Sequence, residues 1–196
     1  MIKGKSAAIV LTYGYLIYEF STKSPSVFVF LFALLFELVL FVFIYAYTFI
    51  TSANKPKIAI ENVFIGSVPL LLFSYGMAYL VAEETDATRY LSTPNIGFWA
   101  PVLLYKNQIV LVVAGMVISY LLETIEFRKN PERLDIITSK LIKHALLIWA
   151  LFIVVAMLAM LLSSGYSSSV FIALPLSRIL LESVFNRVEK KFTPNT

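Results

Sequence analysis

The 196-residue chain contains no cysteine, so disulfides, thiolate metal sites and cysteine nucleophiles are excluded. It contains one histidine, His144. A zinc site built on several imidazoles, or a bis-histidine haem site, is therefore not expected. Charge is scarce: only 14% of residues are Asp, Glu, Lys or Arg, against about 25% in a typical soluble domain. That leaves too little polar surface to cover a water-facing globule. No glycine-rich phosphate loop is present, and the net charge of +4 is not the footprint of a nucleic-acid binder. No cofactor is expected, and nucleic acid is not an expected partner.

What fills the chain instead is apolar. Hydrophobic residues make up 59%, and the mean hydropathy is +0.83. The apolar residues gather in six runs, at about 5–20, 27–50, 60–82, 108–122, 141–162 and 168–188. An α-helix needs about 20 apolar residues to cross a hydrocarbon core of about 30 Å. The short first and fourth runs reach that length only with their flanks, the fourth as 104–125 and the fifth extended to 138–162. The runs are apolar all round, which argues against the alternating strands of a membrane barrel. The expected fold is therefore all-α, a single polytopic bundle of six transmembrane helices over residues 1–196. Lys3 and Lys5 ahead of an apolar run resemble the start of a signal peptide. The following "STKSPS" lacks a small-residue cleavage pattern, so the run is read as a retained helix.

Orientation follows from the basic residues. With six spans and the N-terminus inside, one side holds Lys3, Lys5, Lys55, Lys57, Arg128, Lys129, Arg133, Lys140, Lys143, Arg187, Lys190 and Lys191. The other side holds Lys23, Arg89 and Lys106. The positive-inside rule then places both termini in the cytoplasm of a multi-pass cell-membrane protein. Tyr90, Phe98 and Trp99, in the long link after the third run, suit the headgroup zone.

Against this background a few residues stand out. Glu37 and Arg178 fall at the centres of the second and sixth runs, at similar depth. A charge there costs about 2.5–3.5 kcal/mol on insertion scales, so such residues face the bundle interior and pair. They are expected to form an interhelical ion pair. Glu182 lies one turn from Arg178 on the same face, and His144 lies at the depth of Glu182. A histidine beside a carboxylate can carry a proton; the plainer reading is a polar pin that fixes helix packing. Gly115 and Ser119 form a small-xxx-small step that lets helices approach. Pro69 is expected to kink the third helix and is counted with them as a packing residue. Tyr13, Tyr15 and Tyr18 are read as interfacial anchors. Glu83, Glu84 and Asp86 read as a solvated acidic loop in preference to a cation site.

Enzyme signatures are not met. "EETDATR" has four residues between Glu84 and Arg89, where intramembrane CAAX-type proteases have three, and their further histidines are missing. "SSGYSSS" has no later histidine to partner a rhomboid-type serine.

Three stretches together resemble a family of six-helix integral membrane proteins of unknown function from archaea and bacteria. "FELVLF" resembles its aromatic-rich second helix with a mid-span glutamate, here Glu37. "KLIKHALLI" resembles its basic-residue and histidine step, here Lys140 and His144. "SRILLE" resembles its Lys-x-x-x-Asp pair in the last helix, with Arg178 and Glu182 in those places. The resemblance implies a fold and a set of polar positions, and no activity. The reading ranked first is a small transporter or channel-like protein lined by Glu37, Arg178, Glu182 and His144. The alternative is a structural or accessory subunit in which these charges only fix packing. The expected partners are the lipid bilayer and a membrane protein or second copy of the chain.

Overall fold

The computed structural model describes residues 3–22, 26–51, 60–85, 100–129, 134–162, 172–173 and 175–183. Every regular element among them is helical, and no strand occurs among the described residues. The helices are α1 (Lys3–Thr22), α2 (Val27–Thr51), α3 (Ile60–Thr85), α4 (Ala100–Leu104), α5 (Lys106–Lys129) and α6 (Leu134–Leu162). A further helical run, α7, covers 175–183. The side chains of Glu83 and Glu84, and the whole of Asp86, Tyr90, Phe98 and Trp99, lie outside the described residues.

Local chemistry sets several of the boundaries. Ser26 caps α2: its Oγ accepts from the Phe28 amide at 3.2 Å, and its carbonyl accepts from Val29 N at 3.1 Å. Those bonds satisfy two of the amides a helix start leaves unpaired. The fourth apolar run is longer than its hydropathy indicates. Tyr105 N donates to Pro101 O and Ile109 N to Tyr105 O, so helical hydrogen bonding passes across the α4–α5 junction. Hydroxyls inside the helices are spent on their own backbones, as with Thr12 on Ala8 O and Thr51 on Tyr47 O, both at 2.8 Å.

Among the described residues three helices are long and apolar enough to cross a membrane: α2 over its whole length, α3 over Ile60–Ala82 and α6 over Ile142–Leu161. At 1.5 Å per residue the 25-residue α2 rises about 38 Å. α1 and α5 carry shorter apolar stretches, Ala7–Glu19 and Lys106–Leu122.

α2 is the hub. Within their apolar windows, 67% of α2 is buried, against 17% of α3 and 28% of α6. α3, α5 and α6 all pack on α2, α3 also packs on α6, and α1 lies mainly along α5. Aromatic rings fill the hub. Phe28 reaches Tyr75 of α3 and Tyr105 at the α4–α5 junction, both at 6.4 Å between centroids. Phe30 meets Tyr13 of α1 edge-on at 5.9 Å. Outward faces are strongly apolar: Leu11, Ile50, Ile65 and Leu161 are each more than 70% exposed.

The α1–α5 contact shows what the small-residue step does. A Cβ placed at Gly115 would collide with Thr12 Oγ1. Only a glycine admits α1 this close, and Ser119, one turn on, is fully buried. Pro69 departs from expectation. It lies within α3 at an exposed position. Its ring frees the carbonyl of Ile65 on the side away from the bundle, so its effect is on the shape of α3 and not on an interface. Tyr13 also departs from the anchoring expectation: it is completely buried, while Tyr18 is 59% exposed and fits an edge position.

Candidate functional site: a buried carboxylate–guanidinium cluster

Five helices deliver side chains to one point inside the bundle. From α2 comes Glu37, which shares its buried stripe with Leu34, Leu38 and Phe41. From α7 come Arg178 and Glu182, one turn apart on one face. α1 supplies Tyr13, α5 supplies Tyr120 and α6 supplies His144.

The geometry is that of a forked pair. Arg178 Nε donates to Glu37 Oε2 at 3.0 Å, and Nη2 donates to Glu37 Oε1 at 2.5 Å. Two parallel bonds of this kind fix orientation as well as distance, which a lysine in the same place would not do. The third guanidinium nitrogen, Nη1, donates to Glu182 Oε2 at 3.1 Å. Glu37 then accepts two phenolic protons, from Tyr13 on Oε2 at 3.0 Å and from Tyr120 on Oε1 at 2.7 Å. Each Glu37 oxygen therefore holds one tyrosine and one arginine nitrogen. The guanidinium carbon also lies 5.6 Å from the Tyr13 ring centroid, within cation–π range.

His144 sits at the margin. Its Nε2 is 3.7 Å from Glu182 Oε2, an ion-pair distance if the ring is protonated and too long for a hydrogen bond. Two carboxylates face one guanidinium here, and a proton on His144 brings the charge count to zero. Phe41 packs against the cluster, its ring 5.2 Å from both Tyr120 and His144.

Burial is near total. Arg178 is 0% exposed, Glu37 1% and Glu182 4%. The His144 side chain, at 12%, is the most accessible of the four. The apolar groove between α2, α3 and α6 is lined by none of these four. Among the described residues no three His, Asp or Glu side chains are grouped to hold a metal ion.

Glu37, Arg178, Glu182 and His144 are thus brought together. Gly115 lies on the α1–α5 interface, Ser119 is buried one turn on, and Pro69 lies apart. Tyr13 and Tyr120 complete the site and were not singled out for it. Helical spacing alone did not mark them; the packed bundle does. Ile9, Thr12, Tyr13, Leu16 and Glu19 form one buried stripe on α1, and Val112, Met116, Ser119 and Tyr120 form another on α5. A tyrosine in such a stripe needs a buried partner for its hydroxyl.

Tyr120→Phe is expected to cost about 1.5 kcal/mol, the lower end for a hydrogen bond to a charged group. Glu37 Oε1 keeps its arginine contact, so the loss is partial. Tyr13→Phe should cost less, since its bond is longer. Thermal unfolding of the purified variants in detergent measures both.

Comparison of the chain with protein-family models, with curated proteins and with solved structures finds no match.

Proposed function

We propose that the chain is an integral membrane protein crossing the bilayer six times with both termini in the cytoplasm. We propose further that it serves as a structural or accessory subunit, its buried charges fixing how the helices pack. The membrane reading is supported by three helices of spanning length and by large aliphatic side chains on outward faces. The six-span topology is supported by the twelve-to-three division of basic residues and by the common depth at which mid-span Tyr13, Glu37 and Arg178 meet.

One observation carries the packing role. Both oxygens of Glu37 are doubly occupied and Arg178 has no exposed surface. A site that binds and releases an ion needs an open coordination position or a path for water, and a carboxylate held by four donors offers neither. Reconstituted into vesicles, the purified protein is therefore expected to pass protons and small ions no faster than empty vesicles do. Protein-dependent flux abolished by Glu37→Gln would overturn the reading.

A transport reading rests on His144. It is the most accessible member of the cluster and stands at ion-pair distance from Glu182, where a proton could enter from the cytoplasmic side. Proton flux in the same vesicles, lost in His144→Leu and retained in Tyr120→Phe, would favour it.

Topology has a direct test because the chain lacks cysteine. Single cysteines placed at Lys23 and Asp86 are expected to react with an impermeant maleimide added outside intact cells. Cysteines at Lys57 and Arg133 should react only after the membrane is opened. The reverse pattern, or reaction of Lys57→Cys from outside, would refute both termini being cytoplasmic.

A further inference from the structure

Between α2, α3 and α6, three helices of spanning length, the bundle leaves a groove of about 310 Å³. Its walls include Leu38 and Tyr45 of α2, Gly66 and Leu71 of α3, and Leu146 and Trp149 of α6. Gly66 borders open space, since a Cβ built there would meet nothing within 4 Å. Along α3 the groove runs from Asn62 to Leu71, a rise of about 14 Å. That matches one leaflet, half of a hydrocarbon core of about 30 Å.

The groove is polar at one end only. Elsewhere its polar groups are spent within the protein: the Trp149 indole, at the deep end, donates to Ser74 Oγ at 3.2 Å, and the Ser67 hydroxyl, midway along, donates to Phe64 O at 3.2 Å. At the other end stands Asn62, on an exposed position of α3. Lys143, also exposed, follows the groove residue Ile142 and lies one turn before Leu146. Its ammonium can snorkel to the bilayer surface at the groove mouth. An apolar shaft one leaflet long with a cation at its rim is complementary to a single-tailed slice of an acidic lipid.

We infer that this groove holds one acyl chain of an anionic phospholipid of the cytoplasmic leaflet, with the headgroup phosphate at Lys143 and Asn62. The inference rests on the membrane reading above, and not on the packing role. The occupied groove also has a structural consequence. Phe41 forms part of its wall and also packs against His144 and Tyr120. A bound chain packs on the ring that seals the charge cluster.

Native mass spectrometry of the full chain, titrated in detergent with phosphatidylglycerol or phosphatidylcholine, tests this. The wild type is expected to retain one phospholipid and to prefer phosphatidylglycerol by about fivefold, the worth of one lysine near an anionic surface. Gly66→Leu, at an exposed site with open space around it, is expected to fold normally by circular dichroism and to lose the adduct. Lys143→Gln should keep an adduct and lose the preference. Equal adducts on wild type and Gly66→Leu would overturn the inference. So would a wild-type dimer that Gly66→Leu dissociates, because the occupant would then be a second copy. An alkaline carbonate wash separates the two levels: release of the wild type from membranes overturns the membrane reading and this inference together. Retention with unchanged lipid binding in Gly66→Leu overturns this inference alone.

Discussion

Replacing Glu37 by alanine is expected to destabilise the protein by about 3–5 kcal/mol, and replacing Glu37 and Arg178 together is expected to cost less. In the wild type, three guanidinium nitrogens are engaged by Glu37 and Glu182. Glu37→Ala removes two of those contacts and leaves a guanidinium with no exposed surface. It also strands the hydroxyls of Tyr13 and Tyr120, which both donate to the lost carboxylate. Adding Arg178→Leu removes the uncompensated charge and fills its volume with hydrocarbon, which often restores what a buried pair contributed. Glu37→Gln should fall between the two, since an amide oxygen accepts from one tyrosine or one arginine nitrogen while its NH₂ opposes the other. Unfolding in mixed micelles of the wild type, Glu37→Ala, Arg178→Leu and the double variant, read as a thermodynamic cycle, measures the coupling. A double variant less stable than Glu37→Ala would mean that the pair is not what holds α7 against α2.

Gly115→Leu is expected to cost up to about 3 kcal/mol by overpacking, offset by a gain of under about 1 kcal/mol in helix propensity. A Cβ at this position collides with Thr12 Oγ1, and its next neighbours are Thr12 Cβ at 3.4 Å and Cγ2 at 3.6 Å. The obstruction is a β-branched side chain whose hydroxyl is bonded to Ala8 O, so it cannot swing aside freely. α1 must then move off α5 and carry Tyr13 away from Glu37, which couples a packing change to the charge cluster. The smaller Gly115→Ala should be rescued by Thr12→Ala, because that change deletes the obstructing oxygen and leaves a Cβ separation of ordinary contact. Thermal unfolding of Gly115→Ala, Thr12→Ala and their combination gives the result. If Thr12→Ala leaves the Gly115→Ala penalty unchanged, the close approach of α1 and α5 is not governed by this contact.

The parts legible in the sequence share one physical cause. A charge inside an apolar run has few low-energy places to go, so Glu37, Arg178 and Glu182 pointed to each other before any coordinates. His144 was legible for the same reason, as the one imidazole in an apolar segment. Gly115 and Ser119 were legible because small residues four apart leave a flat helix face. Tyrosine is different. It is at home at an interface and in a core, so Tyr13 and Tyr18 read alike although one is fully buried and the other mostly exposed. Only the identity of the helix opposite each decides between them. Pro69 is a similar case: composition locates the break in α3 hydrogen bonding but not the side that faces the bundle.

The sequence by itself determined the helical class, the apolar runs and the charged residues too costly to stand alone inside them. Each of these depends on a residue and its near neighbours along the chain. The tertiary structure decided that α2 is the hub, that Tyr13 and Tyr120 share the carboxylate with Arg178, and that a groove opens beside Gly66. These depend on which helix faces which. In bundles whose helices are apolar all round, hydropathy carries no mark of the inward side. The side is set where shapes interlock and where donors and acceptors from separate helices meet at hydrogen-bond distance.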